Sequence, residues 1–331
     1  MTAAELGEPR TQIRGGFRGN HQGVGGLRGN HQGVGGLRGN HQVLDAVPVV
    51  RTRAELAAAR RALTGRVVLV PTMGALHEGH RALMRAAAAI GDHVVVSIFV
   101  NPTQFGPEED LDRYPRTPWA DLDMCAEEGV ALVFMPDCQQ VYGPELGIRV
   151  DGGALANRLE GVVRPGHFSG VLTVVAKLFG LVDPDTAVFG EKDYQQFVLI
   201  RAMSRDLALR VDVYSVPTVR ESDGLALSSR NRYLDDKQRV VAGALSRALR
   251  AGADEGSRGG AAVLIAAQTV LEAQPGLELD YLALTDPDLG PAPESGPGRL
   301  LVAARVGTTR LIDNLPVTLR APSSREGEVR H

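Results

Sequence analysis

The sequence predicts an α/β fold, a doubly wound and mostly parallel sheet covered by helices, followed by a smaller α+β domain. Three observations carry that prediction. From about residue 45 to 216, short apolar β-branched runs alternate with Ala-, Leu- and Arg-rich stretches of helical length, the rhythm of strand–helix–strand crossovers. The first clear run, Val67-Val68-Leu69-Val70, is apolar at every position, as a strand buried on both faces must be. After Pro217 the rhythm breaks into a polar stretch, 220–232, and then two Ala-rich segments and a set of short strands.

Taken in order, 52–63 reads as a helix, and strands follow at 67–70, 94–99, 130–135, 187–189 and 211–216. Between them lie helical stretches near 82–90, 120–128, 172–181 and 195–206. Right-handed crossovers put the strand-to-helix turns along one edge of such a sheet, where ligands bind. Beyond Pro217, helices are expected at 236–253 and 261–273, with strands near 280–284, 299–304 and 309–313. The Pro/Gly-rich piece 286–298 reads as a surface loop. This gives a first domain at 45–218 and a smaller second one at 219–320, with a tail at 321–331.

The first 44 residues are different. GGFRGNHQGV, GGLRGNHQGV and GGLRGNHQVL begin at Gly15, Gly25 and Gly35 as a tandem repeat. Each copy holds too few apolar side chains to offset the entropy of ordering it. A disordered extension is therefore expected. Metal capture by His21, His31 and His41, or RNA contact through the Arg-Gly pairs, is the functional alternative.

Composition narrows the function. The chain has 331 residues, 44% hydrophobic and 23% charged, enough for a sizeable core. Its formal net charge of −3 supplies no broad basic field for nucleic acid or a membrane surface. Cys125 and Cys138 lack a CxxC spacing and suit a reducing compartment. No apolar run approaches the roughly 20 residues that span a bilayer, and the N-terminus has no apolar leader core. A soluble cytoplasmic protein is expected, with small-molecule rather than nucleic-acid or membrane partners.

The chemistry concentrates in PTMGALHEGH, 71–80, directly after the first buried strand and before a helix. Such a turn sits at the positive end of the coming helix, among unpaired backbone N–H groups. Gly74 and Gly79 allow close approach of the backbone to a ligand. His77 and His80 add imidazoles, either neutral donors or cations if a phosphate raises their pKa. Phosphate binding is the first reading; structural histidines and a zinc site are the alternatives, the latter lacking a third ligand nearby.

His77-Glu78-Gly79-His80 resembles the HxGH signature of the nucleotidyltransferase superfamily that includes class I aminoacyl-tRNA synthetases. In its longer form, PTMGALHEGH is similar to the pantoate–β-alanine ligase family. Further blocks agree in order and spacing. They are Phe99 to Phe105 (FVNPTQF), Tyr114 to Thr117 (YPRT), Arg164 to Val171 (RPGHFSGV), Phe189 to Gln196 (FGEKDYQQ) and Arg220 to Asn231 (RESDGLALSSRN). The last resembles the counterpart of the synthetase KMSKS loop. The resemblance covers about 45–320.

It implies a Rossmann-like first domain, a second domain closing over ATP, and a two-step ligation. Pantoate would attack the α-phosphate of ATP to give pantoyl adenylate and pyrophosphate, and β-alanine would then displace AMP. His77, His80 and Lys192 are the implied catalytic residues, with His80 the proton donor to the leaving group. The implied ATP site comprises Met73, Gly74, Ala75, Leu76, His77, Glu78, Gly79 and His80, then Gly190, Glu191, Lys192 and Asp193. Val219, Leu227, Ser228, Ser229 and Arg230 complete it. Gln104 and Gln196, neutral amides, suit pantoate, and Gln104 also suits β-alanine. Met73 and Phe99 could wall the gem-dimethyl group, core packing being the alternative. Arg164 and His167 lie in a segment that could form a pantoate-side wall, without an assigned role. Mg2+ is expected with ATP, held mainly by phosphate oxygens, with Asp121 as the outer-shell carboxylate. Where many relatives carry consecutive acidic residues, this chain reads Pro118-Trp119-Ala120-Asp121. A homodimer is implied. The alternatives are another HxGH nucleotidyltransferase with a phosphate acceptor, which would favour basic residues over Gln104 and Gln196, and a regulator that has lost part of the catalytic set.

Overall fold

The computed structural model of the chain describes residues 47–107, 109 and 111–320. The expected extension at 1–44 and tail at 321–331 lie outside the described residues. The first sheet has the order β1-β4-β3-β2-β5-β6, every pairing parallel. Its strands are β1 (Val49–Val50), β2 (Val67–Thr72), β3 (His93–Ile98), β4 (Leu132–Phe134), β5 (Thr186–Gly190) and β6 (Asp212–Val216). Helices α1 (Arg53–Ala62), α2 (Glu78–Ile90), α3 (Pro118–Glu127), α4 (Cys138–Tyr142), α5 (Glu160–Val163), α6 (His167–Val182) and α7 (Tyr194–Asp206) run between them. One core cluster joins Leu69, Phe134, Leu172 and Ile200, and a second joins Val68, Val70, Met84 and Val133. Alternate residues of β2 thus feed different cores, and Val67 to Val70 are all 0% exposed. That is why the strand is apolar throughout.

The topology fixes the place of the site. From β2 the chain moves outward through β3 to β4, then returns to lay β5 on the other side of β2. β2 and β5 therefore flank the point where the winding reverses, and a crevice opens outside the carboxyl ends of such strands. PTMGALHEGH leaves β2 there, and FGEKD leaves β5.

A second sheet, antiparallel β7 (Leu277–Thr285), β8 (Gly296–Val306) and β9 (Thr309–Leu319), packs with α8 (Asp236–Asp254) and α9 (Gly260–Glu272) around Leu245, Leu249, Leu300 and Val302. A buried ion pair ties this sheet to the first one's helices. Glu160 accepts from both Arg310 guanidinium nitrogens at 2.6 and 2.8 Å and from the Tyr281 hydroxyl at 2.8 Å.

The expected elements are present, with shifted ends. Helix α6 starts five residues before the expected 172, at His167, and the last strands are longer than expected. The loop 286–298 is not wholly a surface loop. Leu289 is 0% exposed and joins the first sheet's core, while β8 already begins at Gly296. Proline and glycine mark the turn correctly, but one apolar residue among them carries no periodicity by which to read its burial. Among the described residues no helix is long and apolar enough to cross a membrane. Both thiols are free, Cys125 buried and Cys138 exposed.

Candidate active site

The turn after β2 is built under tension. Gly74 has φ +80° and Ala75 φ +50°, and for a residue with a Cβ the left-handed region costs about 1–2 kcal/mol. A Cβ at Gly74 would meet the Asp121 carboxylate at 3.0 Å and Ile98 at 3.2 Å, which bars any larger residue. Asp121, 2% exposed on α3, holds the turn in this shape. Its Oδ2 accepts from the Ala75 N–H at 3.0 Å, and its Oδ1 accepts from the Leu76 N–H at 2.8 Å and the Thr117 hydroxyl at 3.0 Å. Hydrogen bonds to an ionised group contribute about 1.5–3 kcal/mol each, so two of them outweigh the strain at Ala75. Beside the outer-shell metal role expected for Asp121, the structure thus shows a structural one: both of its oxygens accept from the turn or from Thr117.

The two imidazoles cap α2. His77 is the N-cap residue, its Nδ1 accepting from the Gly79 N–H at 3.1 Å, and His80 Nδ1 accepts from the His77 N–H at 3.2 Å. The rings touch at a 45° tilt with centroids 4.2 Å apart. A nitrogen that accepts from a backbone N–H cannot carry the ring proton, so in the neutral form that proton sits on Nε2 of each ring. Burial, and then the neighbouring His77, push the His80 pKa down to about 3. Burial, and then Lys192, hold His77 below its ordinary value. Near neutral pH the pair is two uncharged donors lining one cleft.

Opposite them stands the segment after β5. Lys192 Nζ lies 3.7 Å from the Asp193 carboxylate. Desolvation opposes the Asp193 charge, although the side chain is half-exposed, and Lys192 and then Arg230 outweigh it and hold the carboxyl below its usual range. From the other side comes a hairpin, closed by the Leu227 N–H on Val219 O at 2.9 Å and an antiparallel bridge between Arg220 and Ala226. It delivers Ser228, whose hydroxyl caps the short helical turn Ser229–Tyr233 through the Arg230 N–H. Asn231, buried, pins that turn to Glu221 Oε1 and Ala226 O.

A cavity of about 240 Å3 brings together Met73, His77, Gly79, His80, Gln104, Gly190, Lys192, Asp193, Gln196, Val219, Leu227, Ser228, Ser229 and Arg230. A larger one, about 1070 Å3, adjoins it through Lys192, Asp193, Gln196, Ser228 and Arg230. Several expected residues do not line either cavity: Gly74, Ala75 and Leu76 shape the turn that Asp121 holds, and Glu78 pairs with Arg81 at 3.0 Å. Glu191 also turns away, binding Arg299 at 2.8 Å and the Ser215 hydroxyl at 3.0 Å.

Sequence reasoning missed the frame behind Gln104. Asn101, 0% exposed, donates from Nδ2 to Gln104 Oε1 at 3.0 Å, while its own oxygen accepts from the Tyr142 hydroxyl at 2.6 Å. With Oε1 taken, Gln104 offers its NH2 group, which now reaches Met73 Sδ at 3.3 Å. Gly170 lets α6 approach this turn; a Cβ there would lie 2.2 Å from Thr103 O. His167, without an assigned role in the sequence, donates from Nδ1 to Gln104 O at 2.8 Å and contacts the Arg164 guanidinium at 3.0 Å through Nε2. Asn101 and Gly170 stand inside the motifs themselves, so the signal was there without the contact that explains it. Met73 and Phe99 both line the cleft beside Val171 and Val175, as an apolar wall requires.

Residues 46–316 match the family model described as pantoate-beta-alanine ligase. The chain belongs to the pantoate–β-alanine ligase family. It is similar to the pantothenate synthetase of Nocardia farcinica, 59% identical over 267 residues that cover 81% of this chain and 84% of that one. The pantothenate synthetase of Salinispora arenicola is 58% identical over 281 residues, 83% of this chain and 99% of that one. Among solved structures, pantothenate synthetase from Thermus thermophilus superposes with a TM-score of 0.76 at 48% identity, covering 81% of this chain and 99% of that chain. Pantoate-beta-alanine ligase from Francisella tularensis, complexed with beta-gamma ATP and beta-alanine, gives 0.69 at 33% identity, covering 82% and 97%. The activity is that of the family, the joining of pantoate to β-alanine.

Proposed function

We propose that the cleft performs this ligation on ATP in two steps, through pantoyl adenylate, with release of pyrophosphate and then AMP. The observation that carries the reading is the pair of imidazoles whose Nδ1 atoms are fixed by backbone N–H groups at the switch point of the sheet, facing Lys192 and the Ser228–Arg230 turn across one cavity. A carboxylate is a poor acylating agent, and adenylation gives it a leaving group. The first step gathers negative charge, and donors aimed at developing charge in a partly dry site are the strongest available catalytic device. His77 and His80 present Nε2–H groups to the phosphates, and a neutral donor does so without trapping the substrate as a tight ion pair. His80 is the group next to the departing pyrophosphate. Lys192 follows the charge as a mobile cation, Asp193 orients it, and Ser228, Ser229 and Arg230 close from the second lobe. In this reading the lobes are 45–218 and 219–320.

Gln104 offers an amide N–H to pantoate and then to β-alanine, Gln196 binds pantoate, and the backbone of Val219 meets the adenine. Mg2+ accompanies the triphosphate and neutralises phosphate oxygens. The residues here do not form a cage for it, so it belongs with the nucleotide rather than with the protein. A cytoplasmic homodimer is part of the same reading, and sedimentation would give the dimer mass. The test is release of pyrophosphate from ATP on adding pantoate, with AMP appearing only once β-alanine follows. A protein that releases neither under these conditions would overturn the proposal.

A further inference from the structure

Two neighbouring residues of β9, at the wall of the larger cavity, touch both halves of the cleft. Asn314, 3% exposed, donates from Nδ2 to the carbonyl oxygens of Glu191 at 2.8 Å and Lys192 at 3.0 Å. Its Oδ1 accepts from Arg299 Nε at 2.8 Å and from the Arg299 NH2 group. Arg299 in turn binds the Glu191 carboxylate and lies over the Tyr194 ring, 3.9 Å from its centre. Asp313, also 3% exposed, takes Arg220 in a two-pronged pair, at 2.6 and 2.9 Å. Arg220 opens the hairpin that delivers Ser228, and it also donates to Gly224 O within that hairpin at 3.1 Å.

We propose that Asp313 and Asn314 are positioning residues: together they form a bracket that sets the spacing between the Lys192 segment and the Ser228–Arg230 turn. Neither residue lies on the strands that carry those segments, and adjacent residues of a paired strand cannot move apart. Whatever displaces β9 carries both sides of the cleft along with it. The bonds are part-buried and end on side chains only 3% exposed, so water does not replace them cheaply when one is cut. The bracket differs in kind from the Glu160–Arg310–Tyr281 ion pair, which also joins the lobes but ends on α5 at the wall of the larger cavity and not on the Lys192 or Ser228 segment.

The inference rests on the reading that Lys192 acts on the triphosphate, so its effect belongs to the first half-reaction. The test uses the full chain and measures the halves separately: pyrophosphate release from ATP and pantoate, and conversion of supplied pantoyl adenylate by β-alanine. Asn314→Ala is expected to slow the first by roughly 10- to 100-fold, as a misplacement of about an ångström does. The second should change by less than about threefold, with the KM for pantoate unchanged. Asn314→Asp, which keeps the oxygen for Arg299 but loses the N–H donors, should behave likewise, and supplies the answer if the alanine variant does not fold. In a Lys192→Ala background, Asn314→Ala should add no further loss, because the group it positions is gone. Glu160→Gln should lower the melting temperature without separating the two halves. Equal losses in both halves, or a loss that multiplies with Lys192→Ala, would overturn the bracket. Full activity of Lys192→Ala alone would instead overturn the assignment of Lys192, a distinguishable failure.

Discussion

Two corners of the cleft hold imidazoles with depressed pKa values, and they use them in opposite ways. At the start of α2, His77 and His80 offer Nδ1 to backbone N–H groups, which leaves the proton on Nε2 and the donor free for a ligand. At the start of α6, His167 donates from Nδ1 to Gln104 O, so Nε2 is the acceptor and takes an N–H of Arg164. Burial is the leading cause of the shift in both corners, down to about 3 for His80 and about 4 for His167. The shift therefore does not distinguish them. What distinguishes them is which ring nitrogen the protein has already engaged: in the proposed reading one corner turns its Nε2–H to the substrate, while the other holds the frame of Gln104 in place.

The sharpest way to break this comparison is substitution in each corner. His80→Ala should lower turnover by roughly two to three powers of ten, the range for a neutral donor aimed at developing charge, read as the rate of pyrophosphate release. Near-normal turnover would remove His80 from the catalytic set. His167→Ala should fall by only about tenfold through a loosened Gln104. Its larger signature is a stability loss of about 1–3 kcal/mol in denaturant unfolding, because the part-buried Arg164 N–H and the Gln104 carbonyl each lose a partner. If His167→Ala matched His80→Ala in turnover, the distinction between the corners would fail.

A third substitution sharpens the contrast from the side of the turn. Asp121→Asn turns one accepting oxygen into a donor beside a backbone N–H, and should cost about 1–3 kcal/mol. The Mg2+ concentration for half-maximal activity should stay unchanged, because the carboxylate holds Ala75 and Leu76; a shifted Mg2+ requirement would restore the metal role.

Acid sensitivity tests both corners at once. A histidine with a depressed folded pKa contributes its full stability above the unfolded value of about 6.5. As pH falls from there toward the folded values, the unfolded chain takes up protons that the folded one refuses, and stability is lost. Unfolding free energy should therefore decline between about pH 6.5 and 4, by at most about 1.4 kcal/mol per pH unit for each such ring. His80→Ala and His167→Ala should each flatten the decline. An unchanged slope in either would mean that its imidazole is not held neutral. The smallest effect expected is at Ala75→Gly, where relief of a left-handed alanine is offset by glycine's entropy. The melting temperature should rise slightly or stay level, and a clear fall would contradict the strain at that position.

Much of this was legible in the sequence. The apolar run at Val67 to Val70 announced a strand buried on both faces, and the motif following it announced the turn with the two histidines. The blocks around Gln104, Lys192 and Ser228 pointed to segments that the fold brings to one cavity, though they are far apart in the chain. What stayed hidden depends on direction rather than on residue type. The turn-holding bonds of Asp121 were hidden because a sequence does not say where oxygens point. Asn101 stood inside a motif and Asn314 in none, and neither showed its contacts, since an amide that orients another group has no periodicity of its own. His167 could not be told from a ligand-facing histidine until the partners of both ring nitrogens were seen.

The most direct measurement is a crystal of the full chain grown with pantoate and a non-hydrolysable ATP analogue. The account predicts the triphosphate between the lobes, with phosphate oxygens within hydrogen-bond reach of Nε2 of His77 and His80 and the pantoate carboxylate beside the α-phosphorus. A nucleotide seated away from these two rings, or rings turned so that Nδ1 meets the phosphate, would contradict it.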